Sequence, residues 1–165
     1  MQSYKDLNID YQDGELDIDN LSLDSLAGCP DYITGSFICE HNKLSNLIGG
    51  PQKVDKNYWC GYNGLTALDG CASHIGGELN LCDNQITSLV GIHKIVKSCR
   101  EIFLDPDKII EGGIGLLLID NLNWISIFHS EPFHIIQKYL GKGTKGMMEC
   151  RSELISYGYS DHAKL

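Results

Sequence analysis

The side chains able to do chemistry are seven cysteines, six histidines and 22 acidic residues, and their spacing limits what that chemistry could be. Cys39 and Cys60 stand 21 residues apart at positions otherwise held by Ile18 and Leu81, which makes them small apolar core residues. Cys29 and Cys71 lie 42 residues apart in matching loops. At two strand spacings they would be about 10 Å from each other, beyond disulfide reach. Cys82 falls on the solvent side and is the expected exposed thiol, without a neighbour in sequence to activate it. An odd number of cysteines without a Cys-x-x-Cys pair fits reduced thiols better than a disulfide framework. Zinc held by Cys82 with His41 or His74 has no ligand spacing behind it. His129 and His134 are five residues apart and share no helix face, whereas Glu149 and Glu153, at i,i+4, read as a solvated face. No phosphate loop, nucleophile elbow or HExxH pattern occurs. The expectation is a protein without enzymatic activity, cofactor or bound metal.

The chain that must position these residues has 165 of them, 42% hydrophobic and 21% charged, enough for one domain. Thirteen Lys and Arg against 22 Asp and Glu leave a net charge of -9, which argues against direct nucleic-acid binding. The longest apolar run, Ile114–Ile119, is far short of the ~18 residues a membrane span needs, and the first residues have no signal-peptide pattern. A cytoplasmic protein is expected.

Eighteen glycines prompt a search for repeats, and a register of 21 emerges. Leu16, Phe37, Tyr58 and Leu79 form one apolar column; Ile18, Cys39, Cys60 and Leu81 form the next. Further columns are Leu23, Leu44, Leu65 and Ile86; Leu26, Leu47, Leu68 and Leu89; and Ile33, Val54, Ile75 and Val96. Gly28, Gly49, Gly70 and Gly91 align, as do Asn42, Asn63 and Asn84, with Leu21 breaking the asparagine column in the first copy. Each copy reads as a short strand with two inward residues, a corner, and a second apolar pair folding back beneath. Stacked copies would form a parallel sheet and one apolar column. The asparagines suit a corner where their amides bond backbone groups of adjacent copies, and the glycines suit a corner needing positive φ.

The pattern L-x-L-x-x-N-x-L-x-x-L resembles the leucine-rich-repeat signature, and residues 14 to 97 resemble the short, Cys- and Asn-containing repeats of large tailed bacteriophages and some bacteria. The resemblance implies an α+β repeat fold: a leucine-rich-repeat solenoid with a parallel β-sheet. Leu7, Ile9 and Tyr11 alternate before the turn Gln12-Asp13-Gly14, so residues 1–13 are expected to form an N-terminal β-hairpin cap. Residues 14–119 form the solenoid, clean over 14–97 and degenerate over 98–119. In the degenerate part Ile102, Ile110 and Gly112 still fall 21 after Leu81, Leu89 and Gly91, and Gly112–Ile119 reads as one more strand. Residues 120–165 form a C-terminal helical cap. Ser130 and Pro132 start a first helix with Phe133, Ile136 and Leu140 inward and Gly141 as its stop. Thr144 caps a second with Met147, Cys150, Leu154 and Ile155 on one side, Gly158 ends it, and Tyr159, Ala163 and Leu165 pack back.

The residues alternating with the inward columns mark a candidate partner-binding face: Ile38, Glu40, His41, Trp59, Tyr62, Asn80 and Asp83. An outward Trp and Ile with a neighbouring Tyr, ringed by acids, has the anatomy of an interaction patch. The alternative is that Trp59 folds over to cover a cap or Gly61. The repeat resemblance implies a non-enzymatic protein-binding module, phage-encoded and acting on a host bacterial protein, with counter-defence as one such role. Three rivals remain open: a structural or assembly protein, a small-ligand or nucleotide-sequestering protein using His41, Tyr62 and C-terminal Lys or Arg, and an acidic nucleic-acid mimic. The expected partner is a protein, with no membrane involved and the chain a monomer or small homo-oligomer.

Overall fold

The computed structural model describes residues 2–126 and 129–165. Its strands are short and all parallel. Leu16–Asp17 (β1), Phe37–Ile38 (β3), Tyr58–Trp59 (β5), Glu78–Asn80 (β7), Glu101–Phe103 (β8) and Trp124–Ile125 (β9) form a six-stranded sheet in that order. Tyr32–Ile33 (β2), Lys53–Val54 (β4) and His74–Ile75 (β6) form a second sheet of three strands.

The expected register holds through the first four strands: Leu16 pairs with Phe37, Phe37 with Tyr58 and Tyr58 with Leu79. These four residues form one buried row. The second column, Ile18, Cys39, Cys60 and Leu81, is buried beside it. In the second sheet Ile33 pairs with Val54 and Val54 with Ile75. The aligned Gly28, Gly49, Gly70 and Gly91 all have φ between +78° and +95°. A Cβ at Gly70 would also lie 2.4 Å from the Ile48 amide nitrogen, so this corner needs glycine for both conformation and space.

Beyond Asn84 the step lengthens from 21 to 23 residues. Ile102 pairs with Leu79, not with Leu81 as the 21-residue count suggests, and Ile125 pairs with Ile102. The same two-residue shift puts Leu104 and Ile109 in the buried places that follow Leu81 and Ile86, and leaves Ile110 63% exposed. Val96 is buried, but the bridge between His74 and Ser98 puts Cys99 in line with Ile75 instead.

Gly112–Ile119 is not a strand. Residues Gly113–Leu118 form a 3-10 helix, entered through Gly112 at φ +81°. After the single-turn helix Ile92–Ile95 (α1), the next α-helix is Glu131–Gln137 (α2), and Gly113 sits so close to it that a Cβ there would be 2.7 Å from Ile136 Cδ1. The next strand comes later, at Trp124, so the sheet extends past residue 119.

Among the described residues the N-terminal hairpin does not form either. Tyr4–Leu7 forms a 3-10 helix, with Asp6 accepting the Ser3 amide at 2.9 Å, and Ser3 joins Ser25 through a single parallel bridge. Asn8 takes φ +52°, which ends the extended run before Ile9, and Ile9 is exposed. Tyr4 is buried under the first unit.

At the other end, Ser130 precedes α2 (Glu131–Gln137), whose Phe133, Ile135 and Ile136 are buried. The second helix, α3 (Gly143–Ser156), starts at Lys142, so Thr144 lies within it and does not cap it. Cys150 and Leu154 are buried, while Ile155 and Leu165 face solvent. A final 3-10 turn, Ser160–Ala163, buries His162 and Ala163. No helix among the described residues is long and apolar enough to cross a membrane.

Candidate functional site

The candidate residues lie on the outer surface of the six-stranded sheet, because side chains alternate across a strand and the inner set is fixed by the core. Pairing aligns Asp17, Ile38, Trp59, Asn80 and Phe103 in one outward row. Ile38, Trp59, Asn80 and Phe103 are half-buried. The residues preceding the inward row in β7, β8 and β9 are Glu78, Glu101 and Trp124, again paired across neighbouring strands. The Phe103 and Trp124 rings lie 5.1 Å apart, tilted at 46°. Glu40, Trp59, Glu78, Asn80 and Phe103 together line a shallow groove of about 290 Å³.

Trp59 does not fold over Gly61. Its indole Nε1 donates to Glu78 Oε2 at 3.2 Å, which holds the ring along the groove. Gly61 is instead covered by Glu40 and Asn80, whose side chains meet above it through an Asn80 Nδ2 to Glu40 Oε1 bond of 2.9 Å. Burial pushes the Glu40 carboxyl above its usual value, opposed by hydrogen bonds from Gly61 and Asn80.

At the corner after each strand, Asn20, His41, Tyr62 and Asp83 take φ of 54°, 49°, 52° and 55°. A non-glycine residue in that region costs about 1 kcal/mol or more, so four in register mark a conformation fixed by the units on either side. The consequence is an ordered row of side chains. The His41 and Tyr62 rings stack at 4.4 Å and 9°, and His41 Nδ1 is 3.0 Å from Asp19 Oδ1. The Asp83 carboxylate raises the Tyr62 hydroxyl above its ordinary pKa.

Beneath this row the asparagines behave as their spacing predicts. Asn42 Nδ2 donates to the carbonyls of Ile18, Cys39 and Glu40, and its Oδ1 accepts the amides of Leu21 and Leu23. Asn63 and Asn84 repeat the arrangement one and two units on. In the first copy Leu21 stands in this column, and its amide donates to Asn42 Oδ1 at 3.1 Å.

Comparison with protein-family models, curated proteins and solved structures finds no match.

All seven cysteines are free, and six are buried. Cys82 is the partly exposed one, and burial pushes its thiol up to about 11, so it is a poor nucleophile at neutral pH. Cys29, Cys71, Cys99 and Cys150 are pushed up to about 12, chiefly by burial. Among the described residues no group of three or more His, Cys, Asp or Glu could hold a metal ion.

All seven candidates therefore share one continuous surface. Phe103, Trp124, Glu78 and Glu101 belong to it as well and were not found by counting in 21s. Phe103 and Trp124 stand 21 residues apart in sequence, but Trp124 pairs with Glu101 and Phe103 with Asn80, each 23 residues apart, so the 21-residue count does not place either.

Proposed function

We propose that this chain is a leucine-rich-repeat solenoid that binds a protein partner through the outer face of its six-stranded sheet, without enzymatic activity. The observation that carries the reading is the outward row of Ile38, Trp59 and Phe103, with Trp124 beside it, half-exposed and surrounded by carboxylates. Large aromatic side chains presented on a rigid sheet lose little entropy on binding and are the usual anchors of interfaces. Regular corners and the asparagine ladder support the repeat assignment, because they recur in the same register as the strands.

The surrounding charge indicates the partner's chemistry. Asp17, Asp19, Glu40, Glu78, Asp83, Glu101 and Asp105 lie on or beside this face, and Lys108 there is already engaged by Asp105 at 2.8 Å. A basic surface bearing apolar side chains is the complement. The phage-like repeats motivate a bacterial host factor as that partner and the host cytoplasm as the place of action, with counter-defence as the biological role.

Affinity capture from a bacterial lysate identifies the partner, and calorimetry then tests the face. Alanine at both Trp59 and Tyr62 should leave folding intact and weaken binding by about 2 kcal/mol or more. Unchanged affinity in the double variant removes this face from the interaction.

A further inference from the structure

The second sheet carries a different kind of surface. Its outward side holds a depression of about 660 Å³, lined by Lys53, His74, Ser98, Arg100, Asn121 and Asn123 around a floor of Val54, Ile75 and Cys99. The bridges His74 to Ser98 and Ser98 to Asp120 continue the β2-β4-β6 ladder across it. Gly76 also lines the hollow, packed so closely on the neighbouring strand that a Cβ there would lie 2.0 Å from the Asp55 carbonyl oxygen.

Among the described residues Asp55 is the one acid lining the hollow, and its charge is already engaged. Its carboxylate sits 3.0 Å from Lys53 Nζ and accepts the Tyr32 hydroxyl, and these contacts hold it below the usual carboxylate range. The Arg100 guanidinium has no acidic partner among the described residues, and within the same set the Asn121 and Asn123 side-chain amides make no hydrogen bond. A chain with a net charge of -9 thus places an unpaired guanidinium and two free carboxamides in one hollow, beside the Lys53 ammonium shared with Asp55 and the His74 imidazole, whose Nδ1 lies 2.8 Å from Ser73 Oγ.

We infer that this hollow binds a small phosphate-bearing molecule. A guanidinium offers a phosphoryl group two parallel N–H donors, and such charge-assisted bonds are about twice as strong as neutral ones. A phosphoryl group, with three terminal oxygens and up to two negative charges, can accept from more of these donors at once than a carboxylate can. The volume lies within the range of small-molecule sites and exceeds that of a bare ion, leaving room for an organic body of nucleotide size against the carboxamides and Ser98. This site lies on the other sheet from the aromatic groove and does not depend on the protein-binding reading.

The test uses AMP, inorganic pyrophosphate and adenosine as probes, titrated into the full chain and followed by calorimetry and amide NMR. Saturable binding of AMP or pyrophosphate is expected, with shifts at His74, Ser98 and Arg100, while adenosine, lacking the phosphate, leaves these signals in place. Arg100→Gln should weaken binding at least about tenfold with an unchanged melting curve, since its side chain is exposed. Trp59→Ala should leave phosphate binding as it is, which separates this site from the groove. The inference is overturned if neither phosphate probe shifts these residues, if adenosine binds as well as AMP, or if Arg100→Gln binds the probes as the parent does.

Discussion

Between Asn42 and Asn84 a single side-chain type closes the backbone at every turn, an asparagine amide reaching carbonyls of its own unit and the one before. Between Leu104 and Gln137, among the described residues, the backbone is closed by different side chains, yet the same need is met. Ser126 Oγ accepts the Leu104 amide at 2.9 Å and donates to the Leu104 carbonyl at 2.7 Å. Gln137, projecting from α2, then treats the last strand as if it were the next one: its Oε1 accepts the Ile125 amide at 2.9 Å and its Nε2 donates to the Asn123 carbonyl at 3.3 Å. A parallel sheet left open at that edge would present unpaired donors and acceptors to other chains. Repetition solves the buried-backbone problem with one residue used many times, and an irregular end needs a separately placed side chain for each group.

The contrast is broken most severely by Asn84→Ala. Three carbonyls, of Cys60, Leu81 and Cys82, lose their donor and the Leu65 amide loses its acceptor, mostly in a buried setting. A loss of about 3 kcal/mol in urea denaturation is expected. Leu21→Asn, placing the same residue at the exposed first position of the column, should change stability by less than about 0.5 kcal/mol. Gln137→Ala comes next, at about 1–2 kcal/mol, and adds a signature the asparagine variant lacks: concentration-dependent association through the uncovered β9 edge, visible by light scattering.

Tyr58→Phe sharpens the comparison from within the regular part. The Tyr58 hydroxyl is buried without a hydrogen-bond partner, while its ring packs edge-on against Phe37 at 5.0 Å. Removing the oxygen keeps the ring and should raise stability by about 1 kcal/mol. The smallest effect is a pH dependence arising from the C-terminal part. His162 is buried against Phe133, its rings at 5.6 Å, and burial lowers its pKa from the ordinary 6.5. Well above pH 6.5 the imidazole is neutral whether the chain is folded or not. Below it the unfolded chain takes up a proton that the fold resists, so stability should fall on acidification from about pH 6.5 downward. His162→Leu should flatten that slope in thermal melts, leaving the share due to His93, which is shifted the same way by burial.

The regular part was legible because its constraints are written in columns: Leu16, Phe37, Tyr58 and Leu79 could be aligned by eye, and the asparagines and positive-φ glycines followed. The change of step to 23 was not. Two extra residues preserve the alternation of a strand, so Ile102 remains inward under either count, and only Ile110, facing solvent where the 21-residue count put it inside, betrays the error. The run from Gly112 to Ile119 has no periodicity to separate a strand from a 3-10 helix, and its conformation is set by close packing of Gly113 against α2, a partner distant in sequence. The groove was half legible for the same reason, since Phe103 and Trp124 join Trp59 only in the longer register. The hollow on the second sheet requires knowing that Lys53, His74, Arg100 and Asn123 meet across four units.

Hydroxyl-radical footprinting of the chain alone and bound to its captured partner measures directly which sheet makes the contact. Trp59 and Phe103 should oxidise several-fold more slowly in the complex, while Tyr32, exposed on the second sheet, keeps its unbound rate. Protection of Tyr32 with Trp59 and Phe103 unchanged would contradict the assignment of the partner to the six-stranded face.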